Sequence, residues 1–403
     1  MGPARRLASR ARSLDRPIAL LGGMAFITQL GVSVMLPLLP LYAQSMGATP
    51  FVLSLLVGGF AIALAVGQLA SGFLAERFAS RRLVVTGIGL YAGANVAIAG
   101  AASAFQLILF RAVAGFGSGI NQVAERLYVT QVADRARLAF ANGILSAAGS
   151  AGSVLGPTIG GVLAAIGDLR APFIVVGITS LSAAIAGWFL PAPAARDQVT
   201  VDQAAGAEPR AASAVMRTLV VLFVVQLAFQ ATFGAFITTY APFASERLHW
   251  STAEIGLVFS LFGLGSVLLG PWLARQADRR GRRLFGVIGC ALLFPFAIVY
   301  VAEAPRLILY PVTVLGGAGV TTIEASWFAL LSDATDGGRR GRAFGTIVAL
   351  SSLGIVIGST VAAQLWERSG DVGLGMLVAS ATVAISGVLL LAHPADRVVP
   401  TAA

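Results

Sequence analysis

Apolar stretches long enough to cross a bilayer recur twelve times along the chain, separated by short polar breaks. Their cores are 18–42, 51–75, 83–102, 105–129, 138–166 and 171–190, then 218–243, 253–274, 284–301, 307–331, 343–366 and 372–392. A helix needs about 20 predominantly apolar residues to span the hydrocarbon. Only helices and closed barrels satisfy every backbone group in lipid. Continuous runs of this length predict an all-α membrane protein of 12 transmembrane helices. Residues 191–217 interrupt the pattern with Pro191, Pro193 and Pro209 and the acids Asp197, Asp202 and Glu208. That interval reads as a linker between an N-terminal six-helix bundle (18–190) and a C-terminal six-helix bundle (218–392), with tails at 1–17 and 393–403. Five arginines precede the first span, but its apolar core exceeds that of a cleavable signal, so it reads as a retained helix.

Composition strengthens this picture. The chain is 57% hydrophobic and only 11% charged, with a mean hydropathy of +0.84; soluble domains carry about 25% charged residues. All 28 basic residues are arginine. Twenty-two lie in the two tails and in the 2–3, 4–5, 6–7, 8–9 and 10–11 loops, while Arg170, Arg247, Arg306 and Arg368 lie in the opposite loops. The positive-inside rule then puts both termini and the linker in the cytoplasm of a cell-membrane protein. The net charge of +10 follows from topology and from attraction to anionic lipid, with no nucleic-acid partner required.

Enzyme chemistry finds no foothold. Without lysine there is no P-loop, and "GFGSG" (115–119) is embedded in an apolar run that follows no strand, so it reads as helix packing. Cys290 stands alone, and His249 and His393 are isolated. No metal site, cofactor or nucleophile–base arrangement is expected.

Sliding the chain on itself by 202 residues superimposes several features. Glu76-Arg77 falls on Asp278-Arg279, Arg81 on Arg283, Gly115 and Gly117 on Gly317 and Gly319, Gly143 on Gly345, and Gly156 on Gly358. Repeated halves are how many secondary transporters build a central site that opens to either side. With "ADRRGRR" (277–283), its degenerate copy "GFLAERFASRR" (72–82) and "RAVAGFGSG" (111–119), the sequence resembles the major facilitator superfamily over essentially its full length. "GSVLGPTIGG" (152–161) and "LPLLPLY" (36–42) are similar to its drug:proton antiporter branch. The resemblance implies two pseudo-symmetric bundles and puts Gly152, Gly156, Pro157, Gly160 and Gly161 at a close contact between them. It also implies a cytoplasmic gate built from Glu76, Arg77, Arg81, Asp278, Arg279, Arg282 and Arg283, its arginines pairing with acids such as Asp134, Asp333 and Asp336.

Ionisable groups inside spans cost on the order of 2.5–3.5 kcal/mol on insertion scales, so each needs a reason. Arg111, Ser118, Gln122 and Glu125 fall on one face of span four at about 100° per residue. Arg111 is either a fixed charge that tunes proton coupling or substrate binding, or a structural ion bonded to helix carbonyls. Glu125 precedes Arg126 near the cytoplasmic end, where a salt bridge competes with a transport role. Glu324 lies deeper, in "GVTTIEASWFALL", and is suited to bind and release a proton unless an arginine pairs with it permanently. Gln29 and Ser33 on span one, Gln226 and Gln230 on span seven, and Asn142 and Ser146 on span five are polar cavity candidates. Interhelical glue is the competing role for each pair. Phe233, Tyr240, Trp327 and Phe328 offer an aromatic wall for an amphiphilic ligand.

The sequence thus reads as a transporter that exports small amphiphilic or drug-like molecules against protons by alternating access, working as a monomer. The open alternatives are a proton-coupled importer of a small nutrient and a membrane sensor that binds ligand without moving it.

Overall fold

The computed structural model describes residues 3–132, 138–191, 212–334, 347 and 350–392, with the side chains of 3–17, 138–140 and 212–215 set aside. Every regular element among the described residues is a helix. In chain order these are α1 Pro3–Ser45, α2 Pro50–Leu74, α3 Ser80–Ala99, α4 Ala104–Val132, α5 Leu138–Ile166 and α6 Ala171–Gly187, followed by α7 Ala212–Glu246, α8 Thr252–Leu268, α9 Gly270–Arg280, α10 Arg282–Leu293, α11 Pro295–Val301, α12 Arg306–Ala334, α13 Leu353–Ser369 and α14 Val372–Ala392. Among the described residues, nine helical segments are long and apolar enough to cross a membrane, and α8 with α9 makes a tenth if that bent pair is one span. α6 is a shorter apolar helix of 17 residues. The described part of the eleventh predicted span is α13; its beginning lies outside the described residues, as do most of the linker and the carboxyl tail.

Two predicted spans are less regular than their hydropathy implied. The eighth bends by 41° between α8 and α9. Gly270 and Pro271 open α9, and a proline there can neither donate to the preceding turn nor clear its carbonyl. The ninth breaks between α10 and α11 at Phe294, just ahead of Pro295.

The helices gather into two compact units. One holds Met1–Ala48, Gly59–Thr200 and Ser251–Leu257; the other holds Thr49–Gly58, Val201–Trp250 and Val258–Ala403. Within the first, α1 packs on α5 and α6, and α3 on α4 and α6. Within the second, α7 packs on α13 and α14, and α10 on α12 and α14. The second set is the first displaced by one half of the chain.

The displacement holds to the atom. A methyl group on Gly115 would meet the Phe60 carbonyl oxygen, and one on Gly317 would overlap that of Phe262. Gly117 lies against the Gly87 carbonyl and Gly319 against that of Gly289. In both pairs the partners also differ by 202 residues. Small residues let helix backbones approach this closely in membranes, where packing replaces the hydrophobic drive.

Three of the four span-five glycines depart from the expectation that the cluster sits between bundles. Added methyl groups at Gly152 and Gly156 would come within 2.7 Å of backbone atoms around Phe26 and Leu30. One at Gly160 would come within 2.9 Å of Val34. All three therefore seat α5 on α1 of the same unit. Only Gly161 and the Pro157 carbonyl turn to the Ser251–Leu257 segment, where Thr252 Oγ1 donates to the Gly161 carbonyl at 2.9 Å.

Candidate functional site

The charged ends of the units are built from helix termini. In the second unit Gly281 separates α9 from α10 at φ +119, a conformation that L side chains rarely adopt. That turn brings Arg282 Nε to 3.5 Å from Asp278 and its Nη1 onto Asp333 at the end of α12. Arg283 reaches the Leu390 carbonyl in the last turn of α14, 2.9 Å away, and that of Leu391. In the first unit Arg81 donates to the Trp188 carbonyl at the end of α6, and Trp188 and Leu390 are again 202 residues apart. Arg81 and Arg283 thus cap carbonyl ends, where the helix dipole favours a cation. The acid pairing expected of the loop arginines is made by Arg282 on Asp333. Asp134 and Asp336, two of those expected acids, lie outside the described residues. Ala79 stands where the second copy has Gly281 and takes φ −59, so the first loop turns another way. Glu76 and Arg77 lie in that loop, exposed. Arg279 is exposed on the last turn of α9.

The polar stripe of span four divides. Arg111, Ser118 and Glu125 are buried, while Gln122 is exposed. Gln122 accepts from Gln68 of α2 at 3.1 Å and donates to Ser118 at 3.4 Å. Glu125, only 8% exposed, makes no ion pair among the described residues; Asn121, one turn earlier, donates to it at 2.9 Å. Of the two roles left open for it, a salt bridge to Arg126 is not formed, because neighbouring helix residues point about 100° apart: Arg126 faces outward and Glu125 faces in. Arg111 is held by softer partners. Its Nη1 lies 3.5 Å from the Met35 sulfur and its guanidinium carbon 3.8 Å from the Phe60 ring centre.

Glu324 in the second unit is exposed on α12, one turn from the exposed Phe328. No arginine lies within ion-pair distance of it among the described residues, so permanent pairing within the described chain is set aside. Phe233 on α7 is also exposed.

The other two members of the aromatic wall are core residues. Tyr240 is fully buried among Phe236, Phe259 and Tyr300, with ring centres 5.1–5.6 Å away. Trp327 is fully buried too, its indole N–H donating to the Leu222 carbonyl at 2.7 Å. Aromatic positions at helical spacing fit a core or a ligand wall equally well, and the neighbouring helices decide.

Among the polar candidates, Ser33 is buried against Gly156, Gln29 is half-buried on α1, and Asn142 and Ser146 are exposed on α5. Gln230 is half-buried and packs toward Gly354. Gln226 is buried with its Oε1 unpartnered. No group of His, Cys, Asp and Glu able to hold a metal occurs among the described residues.

Sequence reading missed Gln68, Asn121, Tyr91 and Asn95. The first is a lone amide in an apolar run; the second precedes Glu125 by one turn; the last pair shares a face of α3 at a spacing of four. Tyr91 and Asn95 are fully buried, and the Asn95 amide donates to the Tyr91 carbonyl at 2.8 Å.

With this geometry in hand, the relatives are informative. The family model described as Major Facilitator Superfamily matches residues 21–251 and 222–402. The chain is 28% identical over 172 residues to "Uncharacterized MFS-type transporter MJ1560" of Methanocaldococcus jannaschii, a match covering 43% of this chain and less than half, 45%, of that protein. It is 27% identical to "Multi-drug resistance efflux pump PmrA homolog" of Lactococcus lactis subsp. lactis over 375 residues, 88% of this chain and 91% of that protein. Among solved structures, a point mutant of the nucleoside transporter NupG superposes with a TM-score of 0.78 at 12% identity, covering 93% of this chain and 98% of that one.

Proposed function

The chain belongs to the Major Facilitator Superfamily, and on that premise we propose that it exports small amphiphilic or drug-like molecules in exchange for protons, by alternating access. Membership makes it a multi-pass membrane transporter. Export is supported by the relative named an efflux pump, which aligns over most of both chains. Proton coupling rests on one observation: Glu324 is a carboxyl group on a membrane-crossing helix with no ion-pair partner among the described residues. A carboxylate fixed by an arginine cannot cycle, whereas an unpaired one is free to take up and lose a proton. Each proton entering down 100 mV supplies about 2.3 kcal/mol, enough to sustain a useful gradient without ATP. In this reading Arg111 and Glu125 support coupling, and Phe233 and Phe328 are the exposed aromatic contacts for cargo. The Asp278–Arg282–Asp333 cluster belongs to a cytoplasmic gate. The protein works as a monomer in the cell membrane, with both termini cytoplasmic.

The test is substrate-induced proton release in proteoliposomes. Glu324→Gln keeps shape and hydrogen bonding but removes the exchangeable proton. It is expected to abolish uphill, pH-driven export while leaving downhill exchange of substrate. Normal proton exchange in this variant would make Glu324 structural and move the carrier to Glu125. Accumulation in the opposite direction would identify an importer, and binding without accumulation a sensor.

A further inference from the structure

Two amides stand together inside the membrane where nothing in the packing calls for them. Gln68 of α2 is half-buried and Gln122 of α4 is exposed. The Gln68 amide donates to Gln122 Oε1 at 3.1 Å, and the Gln122 amide donates to Ser118 Oγ at 3.4 Å. Both helices are long and apolar enough to cross the membrane. Gln122 lies ten residues before the end of α4, about 15 Å along the axis, so the pair sits below the headgroups. An exposed amide at that depth is stable only against water, because lipid leaves its polar atoms unpaired. The pair therefore lines a wet route.

Helix adhesion does not need it. α2 and α4 already meet backbone to backbone: a methyl group on Gly67 would strike the Phe116 carbonyl, and one on Gly119 that of Leu64. The buried Ser71 hydroxyl adds a bond to the Ile120 carbonyl at 3.1 Å. Bonded to each other, the two amides leave the Gln68 oxygen and one N–H on each nitrogen without a partner among the described residues. One acceptor and two donors thus remain, and neither side chain carries charge.

The second unit uses the same position differently. Under the shift of 202 residues, Gln122 falls on Glu324 and Gln68 on Gly270. Glu324 is exposed, as Gln122 is. Gly270 lies against Thr321, whose side chain an added methyl group would approach to 2.6 Å, and it brings no amide to the acid. One register position carries a bare carboxyl group in the second unit and a neutral hydrogen-bonding pair in the first. The carboxyl suits a proton; the amides suit an uncharged polar group.

We infer that Gln68 and Gln122 form a subsite for a neutral carboxamide group of the transported molecule. Its carbonyl accepts from the glutamine N–H groups and its own N–H donates to Gln68 Oε1. The substrate class is then uncharged, amide-bearing amphiphiles. This rests on the exporter reading, and its test is built to fail separately from it. Calorimetric titration of the full-length purified protein compares 1-naphthamide with methyl 1-naphthoate, which keeps the ring and carbonyl but has no N–H to donate. The anion 1-naphthoate is titrated as the charged alternative.

The expected result is binding of the amide about fivefold tighter than of the ester, the worth of one ordinary hydrogen bond. That preference should disappear in Gln68→Met and in Gln122→Met, which keep the length of the side chain. Equal affinity for amide and ester in the unaltered protein overturns the subsite, and that comparison stands whether or not a variant folds. An undiminished preference in both variants also overturns it, since the amide is then read elsewhere. So does tighter binding of 1-naphthoate than of 1-naphthamide, because the exposed Arg126, one turn beyond Gln122, would then select the cargo. Uncoupler-sensitive efflux of ethidium, a cation with no carboxamide, examines the exporter reading alone: its presence without amide preference removes only the subsite. Amide preference without any efflux removes only the exporter.

Discussion

Asn121 and Glu125 illustrate how far one side chain can depend on another. The Asn121 amide is the hydrogen-bond donor to the Glu125 carboxyl, and its own Oδ1 is buried without a partner. Leaving a buried polar group unsatisfied costs about 1–3 kcal/mol. Asn121→Leu is therefore expected to lower the thermal midpoint of the purified protein. Adding Glu125→Leu to that background should restore part of the loss, because both partners are then apolar. Melting of Asn121→Leu at the wild-type temperature would mean that the carboxyl finds another donor. At this scale the sequence was partly legible. Arg111, Glu125 and Glu324 declared themselves by being charged inside spans, but their partners did not, since Met35, Phe60 and Asn121 are ordinary residues in such helices. Tyr240 and Trp327 were misjudged for the same reason: burial is decided by neighbouring helices that one helix's pattern does not name.

Elements show the clearest agreement between the halves and the clearest departure from it. The 202-residue repeat reappears as matched helix contacts, because close approach needs a small residue and glycine is visible in the sequence. The carbonyls those glycines meet leave no such trace. Nor do those that receive Arg81 and Arg283, so the caps were legible only as loop charge. The loops themselves diverge at Ala79 and Gly281, with φ of −59 and +119. Placing a Cβ in such a positive-φ conformation costs on the order of 1–3 kcal/mol. Gly281→Ala is thus expected to destabilise the protein by about that amount and to loosen the Arg282 pairs. Ala79→Gly should shift stability by much less. Thermal unfolding of the two variants checks both, and equal effects would show that the second loop does not depend on its glycine.

For the whole molecule, the two ends of the second unit are assembled from alternate loops. Arg247 meets Glu303 at 3.0 Å and Asp371 at 3.5 Å, joining the loops after α7, α11 and α13. Arg282 and Arg283 join the opposite ends of α9, α12 and α14. This is the alternation that the hydropathy pattern demanded, and it was legible because span length alone sets it. Orientation is a separate matter, read from arginine bias. A reporter fused at residue 200 is expected in the cytoplasm, and one at 168 or 248 on the far side. A reporter at 200 found outside would reverse the assignment.

The arginine caps also impose an order of biosynthesis. Arg81 and its Trp188 acceptor are separated by 107 residues, as are Arg283 and Leu390. At about 5–20 residues per second, the guanidinium made first waits roughly 5–20 s for its carbonyl to leave the ribosome. Until then it has only lipid headgroups and water to satisfy it. Each half therefore closes on itself only when its last helix arrives, and the first can finish before the second has begun.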